Sequence, residues 1–216
     1  MKHLSTAEIV VATGNPHKVE EIRQILAELG VRVLSLADLK SNDLPEPEED
    51  GSTFEENARI KATQYARAVH RMVIADDSGL SVDALGGAPG VFSARWSGLG
   101  VTREERDHAN NAKLLAELDG IPTVSRTARF VCAMCLAAED GAILAQTRGE
   151  FLGSIGTSAR GRNGFGYDPL FIVDTSGRTS AELSSEQKNR RSHRGMATRE
   201  MARLLPSILS QRPSLS

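Results

Sequence analysis

Four short segments of this chain bring together residue types that can handle phosphate, a hard cation or a flat aromatic ring. The first is Thr13-Gly14-Asn15-Pro16-His17-Lys18, between a β-branched run and a stretch of helical apolar spacing. Glycine lets backbone approach a ligand closely, a helix N-terminus offers unpaired N–H groups, and Lys18 adds a mobile positive charge, so the segment reads as an anion cradle. An ordinary strand-to-helix turn with an Asn or Thr cap is the alternative, and the glycine, lysine and Ser/Thr spacing of a Walker A loop is absent. The second is Asp76-Asp77-Ser78-Gly79, directly after an apolar strand. Carboxylate oxygen suits Mg²⁺, which keeps water and takes its remaining ligands from substrate phosphate. Asp-Ser-Gly could equally be a plain turn. The acidic stretch Glu46–Asp50 could add a further ligand, although such charge runs are more often solvated.

The third segment, Gly164-Phe165-Gly166-Tyr167-Asp168-Pro169, frames one aromatic with glycines and sets a second before Asp-Pro. Aromatic faces can stack on a base, and amides freed by glycine can read its edge, while a phenylalanine in such a loop can also plug the core. The fourth is Lys188 with Ser192-His193-Arg194 ahead of the last helix. Cations near a helix start oppose its dipole, which calls for an anion or a carboxylate partner, unless the patch faces solvent.

These residues need a scaffold, and the apolar pattern supplies one. Glu8–Thr13 reads as a strand, and Lys18–Leu29 as a helix with Val19, Ile22, Ile25, Leu26 and Leu29 at helical spacing, ended by Gly30. Val31–Leu34 is a second strand, and Ala37–Gly51, acidic and holding Pro45 and Pro47, an exposed loop. Ser52 or Thr53 caps a helix to about His70, with Glu55 and Glu56 in its first turn. Met72–Ala75 is a buried strand expected to stop at Asp76, followed by the turn-rich Gly86–Gly90. Thr102 caps a helix to about Leu118 with Ala109, Ala112, Leu115 and Ala116 towards the core. Ala128–Ala138 and Ala142–Phe151 flank Glu139-Asp140-Gly141, a hairpin signal. Leu170–Val173 is a short strand and Ser192–Leu205 the last helix before a polar tail. Early strands alternate with helices and later ones adjoin directly, which predicts an α/β or α+β protein with a mixed sheet.

With 216 residues, 40% of them hydrophobic, one domain with a substantial core is expected, its core over residues 8–205 and a tail over 206–216. The formal net charge of −2 gives no global basic field for a nucleic-acid backbone. Cys132 and Cys135 fall in an apolar strand that would send them to opposite faces. A CxxC redox pair or half zinc site lacks a second Cys/His cluster, so buried thiols are expected. No apolar run reaches the roughly 18 residues of a membrane span, and Met1–Glu8 lacks a secretory h-region, so a soluble cytoplasmic protein is expected.

Taken in order, TGNPHK, EENARIKA, ADDSGLSVDALGGAPGVFSARW, NNAKLL, GFGYDP, AEL, EQKN and SHRG resemble the Ham1-like inosine/xanthosine triphosphate pyrophosphatases over roughly Ile9–Leu205. The resemblance implies an elongated two-lobed α/β protein with a central cleft, a homodimer that uses Mg²⁺. It would hydrolyse ITP, dITP and XTP to the monophosphate and pyrophosphate. It makes Asp77 the proton acceptor and, with Glu49, a metal ligand. Thr13, Gly14, Asn15, Pro16, His17, Lys18, Lys61, Ser78, Phe165, Gly166, Tyr167, Asp168, Lys188, His193 and Arg194 become substrate-binding. Donors from Phe165–Asp168 and from His193 or Arg194 would read the purine 6-oxygen. A Maf-like pyrophosphatase of pyrimidine or modified nucleotides is the rival enzyme, and a nucleotide sensor without turnover the rival binder.

Overall fold

The computed structural model describes residues 7–39 and 44–211. Its chain order is β1 (Glu8–Val11), α1 (Pro16–Leu26), β2 (Arg32–Ser35), α2 (Phe54–Val69), β3 (Val73–Val82) and α3 (Arg103–Glu117). The order continues with β4 (Thr127–Ala137), β5 (Ile143–Ile155), β6 (Phe171–Ile172), α4 (Ser185–Arg191) and α5 (His193–Ser210). Six strands form one sheet in the order β2-β1-β3-β4-β5-β6. β1 runs parallel to β2 and to β3, whereas β5 and β6 are antiparallel. The expected mixed α/β sheet is what forms. Between β4 and β5 the Asp-Gly turn closes as anticipated, with Ala138 N donating to Ala142 O at 2.8 Å.

The chain divides into two compact units. The first takes in the described residues up to Asp77, Cys132–Gly149 and those from Arg194 on; the second is Ser78–Val131 with Glu150–His193. Apolar alternation builds the core of the first. Ile9 and Val11 of β1, Ile74 of β3 and Cys132, Met134 and Leu136 of β4 meet Val19, Ile22 and Leu26 of α1 and Ala197, Met201 and Leu205 of α5. Fully buried side chains such as Ile22, Leu26 and Ile74 contribute about 1.5–3 kcal/mol each relative to exposure. The second core gathers Leu80, Leu114, Leu118, Phe130, Phe151, Ile155, Tyr167, Leu170 and Phe171.

Several expectations need correcting. β3 does not stop at Asp76 but runs on to Val82. Asp76 and Asp77 have buried polar partners inside the sheet layer, and glycine at 79 leaves room for Ser93, whose Oγ would lie 2.3 Å from a Cβ there. On α3 the buried positions are Asn110 and Leu114, with Leu118 following, while Ala112 and Ala116 face outward. The asparagine goes in because its amide is used: Asn110 accepts from Ser97 N at 2.8 Å and donates to Ser93 O at 3.1 Å. α4, capped by Ser184 with Gln187, was not anticipated. The last helix continues through Pro206 to Ser210. Proline forfeits one helical hydrogen bond, yet Ile208 and Leu209 still pack against the first core. In the acidic loop Pro47 is buried rather than exposed. Residues 40–43 of that loop and 212–216 of the tail lie outside the described residues. No described helix is long and apolar enough to cross a membrane.

Candidate active site

Successive residues of a strand point to opposite faces, and this separates the two aspartates of β3. Asp76 lies on the face of α1 and α5. Its Oδ2 meets Lys18 Nζ at 2.9 Å and Arg194 Nε at 3.3 Å, and Cys132 Sγ stands 3.8 Å away. The Arg194 guanidinium, itself buried, also binds Glu21 at 2.5 Å. Burial alone would raise the Asp76 pKa, but Lys18 and Arg194 outweigh it and hold the carboxyl below the usual range. The same burial, with Asp76 alongside, pushes the Cys132 thiol up, and Cys135 is pushed up to about 11, mainly by burial. Both cysteines are buried free thiols, as expected.

Asp77 lies on the face of α2. Asn57 Nδ2 donates to its Oδ2 at 3.2 Å, and Lys61 Nζ meets its Oδ1 at 3.1 Å. Lys61 Nζ also reaches Glu49 at 3.2 Å, so one ammonium joins two carboxylates. Burial and the neighbouring Glu49 raise the Asp77 pKa, only partly countered by Lys61 and Lys18. For Lys61, burial is outweighed by Asp77, Asp76 and Glu49, and its pKa goes up. The sequence arranges this simply. Thr53 and Glu56 form a capping box that fixes where α2 starts, which puts Asn57 and Lys61 one turn apart on one face. Gly51 N donates to Asn57 Oδ1 at 2.9 Å, and a Cβ on Gly51 would lie 2.6 Å from that atom. The glycine thus ties the loop carrying Glu49 to α2. Asn57 was not singled out beforehand; its spacing from Lys61 was the available signal.

In the first segment, Asn15 caps α1 by accepting from His17 N at 3.1 Å, Pro16 opens the helix, and Thr13 Oγ1 accepts from Asn15 N at 3.2 Å. The cap reading therefore holds, and Lys18 leaves the first turn towards Asp76. Asn15 Nδ2 is buried with no hydrogen-bond partner among the described residues. Among the described residues no three His, Cys, Asp or Glu side chains cluster as a metal site. Asp77 and Glu49, already sharing one cation, nevertheless match the pair of carboxylates that Mg²⁺ takes when phosphate and water complete its shell.

The second unit holds the glycine loop. Gly164 has φ 78°, and a Cβ there would sit 2.1 Å from Asp168 Oδ2. That oxygen accepts from Phe165 N at 2.9 Å and pairs with Lys188 Nζ at 2.6 Å. Phe165 is half-buried, with the Arg103 guanidinium 4.6 Å and the Lys188 ammonium 4.8 Å from its ring centroid. Tyr167 goes the other way. Its ring belongs to the second core and its hydroxyl donates to Ser93 O at 2.9 Å, so it is no exposed stacking face, and burial drives its phenol pKa up. His193 stacks on Phe130 at 5.0 Å, and Ser78 follows Asp77 on β3, half-buried. AEL acquires a role: Ala181 O accepts from Arg162 N and Asn163 N, while Ala181 N donates to Asp168 O. The carboxylate partners expected for Lys188 and Arg194 are Asp168, and Asp76 with Glu21.

The fold and site define a mixed α/β protein in which Lys61 bridges Glu49 and Asp77, the latter on the third strand beside the buried Asp76. The Ham1 family model matches residues 9–204. A dITP/XTP pyrophosphatase of an Exiguobacterium species is 52% identical over 200 residues, covering 92% of this chain and 97% of that one. The dITP/XTP pyrophosphatase of Bacillus subtilis is 48% identical, covering 92% and 96%. The structure of a HAM1 protein from Coxiella burnetii superposes with a TM-score of 0.81 at 38% identity, covering 93% and 99%. The chain belongs to the Ham1 family.

Proposed function

We propose that this protein hydrolyses deaminated purine nucleoside triphosphates, ITP, dITP and XTP, to the monophosphate and pyrophosphate. The observation that carries the reading is the Lys61 ammonium shared by Asp77 and Glu49, with Asp77 raised in pKa by its burial. A buried carboxylate of raised pKa is a better proton acceptor than an ordinary one near neutral pH. Water attacks the α-phosphorus, its proton passes to Asp77, and the bond to the bridging oxygen breaks with pyrophosphate leaving. Lys61 orients Asp77 through this step, and Lys18 and Lys61 face the phosphate charge. Thr13–Lys18 and Ser78 complete the phosphate-binding set. Bound Mg²⁺, held by Asp77 and Glu49, would neutralise triphosphate charge and polarise the phosphoryl oxygens.

The base is assigned to Phe165–Asp168, Lys188, His193 and Arg194. Phe165, rather than Tyr167, offers the aromatic face, and Lys188 and Asp168 fix it. A pocket whose donors meet a 6-oxo group leaves them unpaired with adenine, which discriminates strongly. The Ham1 match over nearly the whole chain does not favour the Maf-like alternative. The proposal includes a homodimer in the cytoplasm, working as one Ham1-like domain, each carried by the family resemblance. The test is a panel of ITP, XTP, ATP, GTP, dTTP and UTP with and without Mg²⁺, assaying pyrophosphate and phosphate separately. ITP and XTP are expected to give pyrophosphate and monophosphate with Mg²⁺. Equal rates on ATP and GTP would defeat the selectivity, and binding of ITP without turnover would make the protein a sensor.

A further inference from the structure

The loop that carries Phe165 is held by a pair of α3 side chains with no role in the reading above. Gly166 N donates to Asp107 Oδ2 at 2.8 Å, and Asn111 Nδ2 donates to Gly166 O at 2.9 Å. Both polar atoms of one residue are thus taken by residues four apart, which share a face of a helix. Gly166 has φ 63°, yet nothing lies within 4 Å of where its Cβ would be. Glycine is required there for its backbone angle and not for space. At Gly166 itself the contacts with α3 are these two hydrogen bonds.

The neighbours extend this brace. Asn110 Nδ2 and Tyr167 Oη both donate to Ser93 O, at 3.1 and 2.9 Å, so residues adjacent to Asn111 and Gly166 are joined again through one carbonyl. On the other side, Arg103, also of α3, stands over the Phe165 ring, 3.9 Å from Asp107. A consequence follows for base reading. Phe165 N is bound to Asp168 and Gly166 N to Asp107. Two of the amides that could have read a base edge already have carboxylate acceptors within the protein. What the loop can discriminate then depends on the shape in which it is held.

We propose that Asp107 and Asn111 are positioning residues that clamp Gly166 and thereby set the purine selectivity of the Phe165 loop. The selectivity half rests on the assignment of that loop to the base; the clamp itself does not. The proposal turns on the polarity of each contact. Asp107→Asn keeps an acceptor oxygen, whereas Asp107→Ala removes it. Asn111→Asp keeps the shape but turns a donor into an acceptor facing a carbonyl.

The experiment measures amide hydrogen exchange at Gly166 by NMR together with kcat, KM and melting temperature for the purified full chain. In Asp107→Ala, Gly166 exchange is expected to rise about tenfold, the size of one lost hydrogen bond. In Asp107→Ala and Asn111→Asp, KM for ITP is expected to rise about tenfold. The kcat/KM preference for ITP over ATP should fall by a similar factor, with kcat within about threefold of wild type. Asp107→Asn should restore most of both. Unchanged Gly166 exchange in Asp107→Ala overturns the clamp. An unaltered ITP-to-ATP preference, or a fall in melting temperature and kcat together with preference intact, overturns the selectivity role and leaves a structural brace. If the wild type cleaves no ITP at all, the functional reading falls and takes the selectivity role with it, while the exchange result still decides the clamp.

Discussion

Asp76 and Asp77 are neighbours in the chain and opposites in their surroundings. On the α1 and α5 side, Asp76 is wholly buried, held by Lys18 and Arg194, and its carboxyl stays ionised far into acid. On the α2 side, Asp77 shares one ammonium with a second carboxylate, and its pKa is raised. Lys18 and Arg194 both meet Asp76, whereas Asp77 and Glu49 share Lys61, so attraction outweighs burial on one side and falls short of it on the other. Identical side chains one residue apart thus differ in kind, one an ionised anchor within the fold and the other the proton acceptor proposed above.

The most disruptive way to break this comparison is Asp76→Asn. Removing one partner of a buried ion pair leaves uncompensated charge, so a stability loss of about 3–5 kcal/mol at pH 7 is expected in urea unfolding. The pH dependence has a definite sign. The folded pKa of Asp76 lies below its ordinary value of 3.8, so its contribution is complete above that pH and fades as pH falls below it. The gap between variant and wild type should therefore close only in that acid range. Lys61→Met comes next, with turnover lowered roughly 100-fold through lost orientation and phosphate charge. Tyr167→Phe should cost about 1 kcal/mol of stability in urea unfolding, a small effect because Asn110 still donates to Ser93 O.

Most of the scaffold was legible because its signals are local. Thr53 and Thr102 each cap a helix with a glutamate three residues on, Gly30 ends α1 and its 3-10 extension at φ 68°, and the Asp-Gly turn closes the hairpin. What could not be read was set by tertiary partners. Asp76 and Asp77 look like the end of a strand because charged residues are rarely buried; the strand runs through them because α1, α2 and α5 bring Lys18, Asn57, Lys61 and Arg194 to meet the two carboxylates. The same holds for α3, where the apolar spacing points alanines inward and the hydrogen-bonded Asn110 is found there. Within the candidate site, the motifs single out Lys18, Asp77, Asp168 and Lys188 but say nothing of the side chain each one meets. The pairing of Lys61 with Glu49, the burial of Tyr167 and the roles of Asn57, Asp107 and Asn111 needed three dimensions.

Turnover of ITP by Asp77→Asn, measured with pyrophosphate release and a melting curve on the same sample, bears most directly on the difference between the two aspartates. The expected result is a loss of about 1,000-fold or more in kcat, in keeping with the removal of a proton acceptor, from a protein that melts as the wild type does. An Asp77→Asn protein that turns ITP over at near wild-type rate would contradict the account.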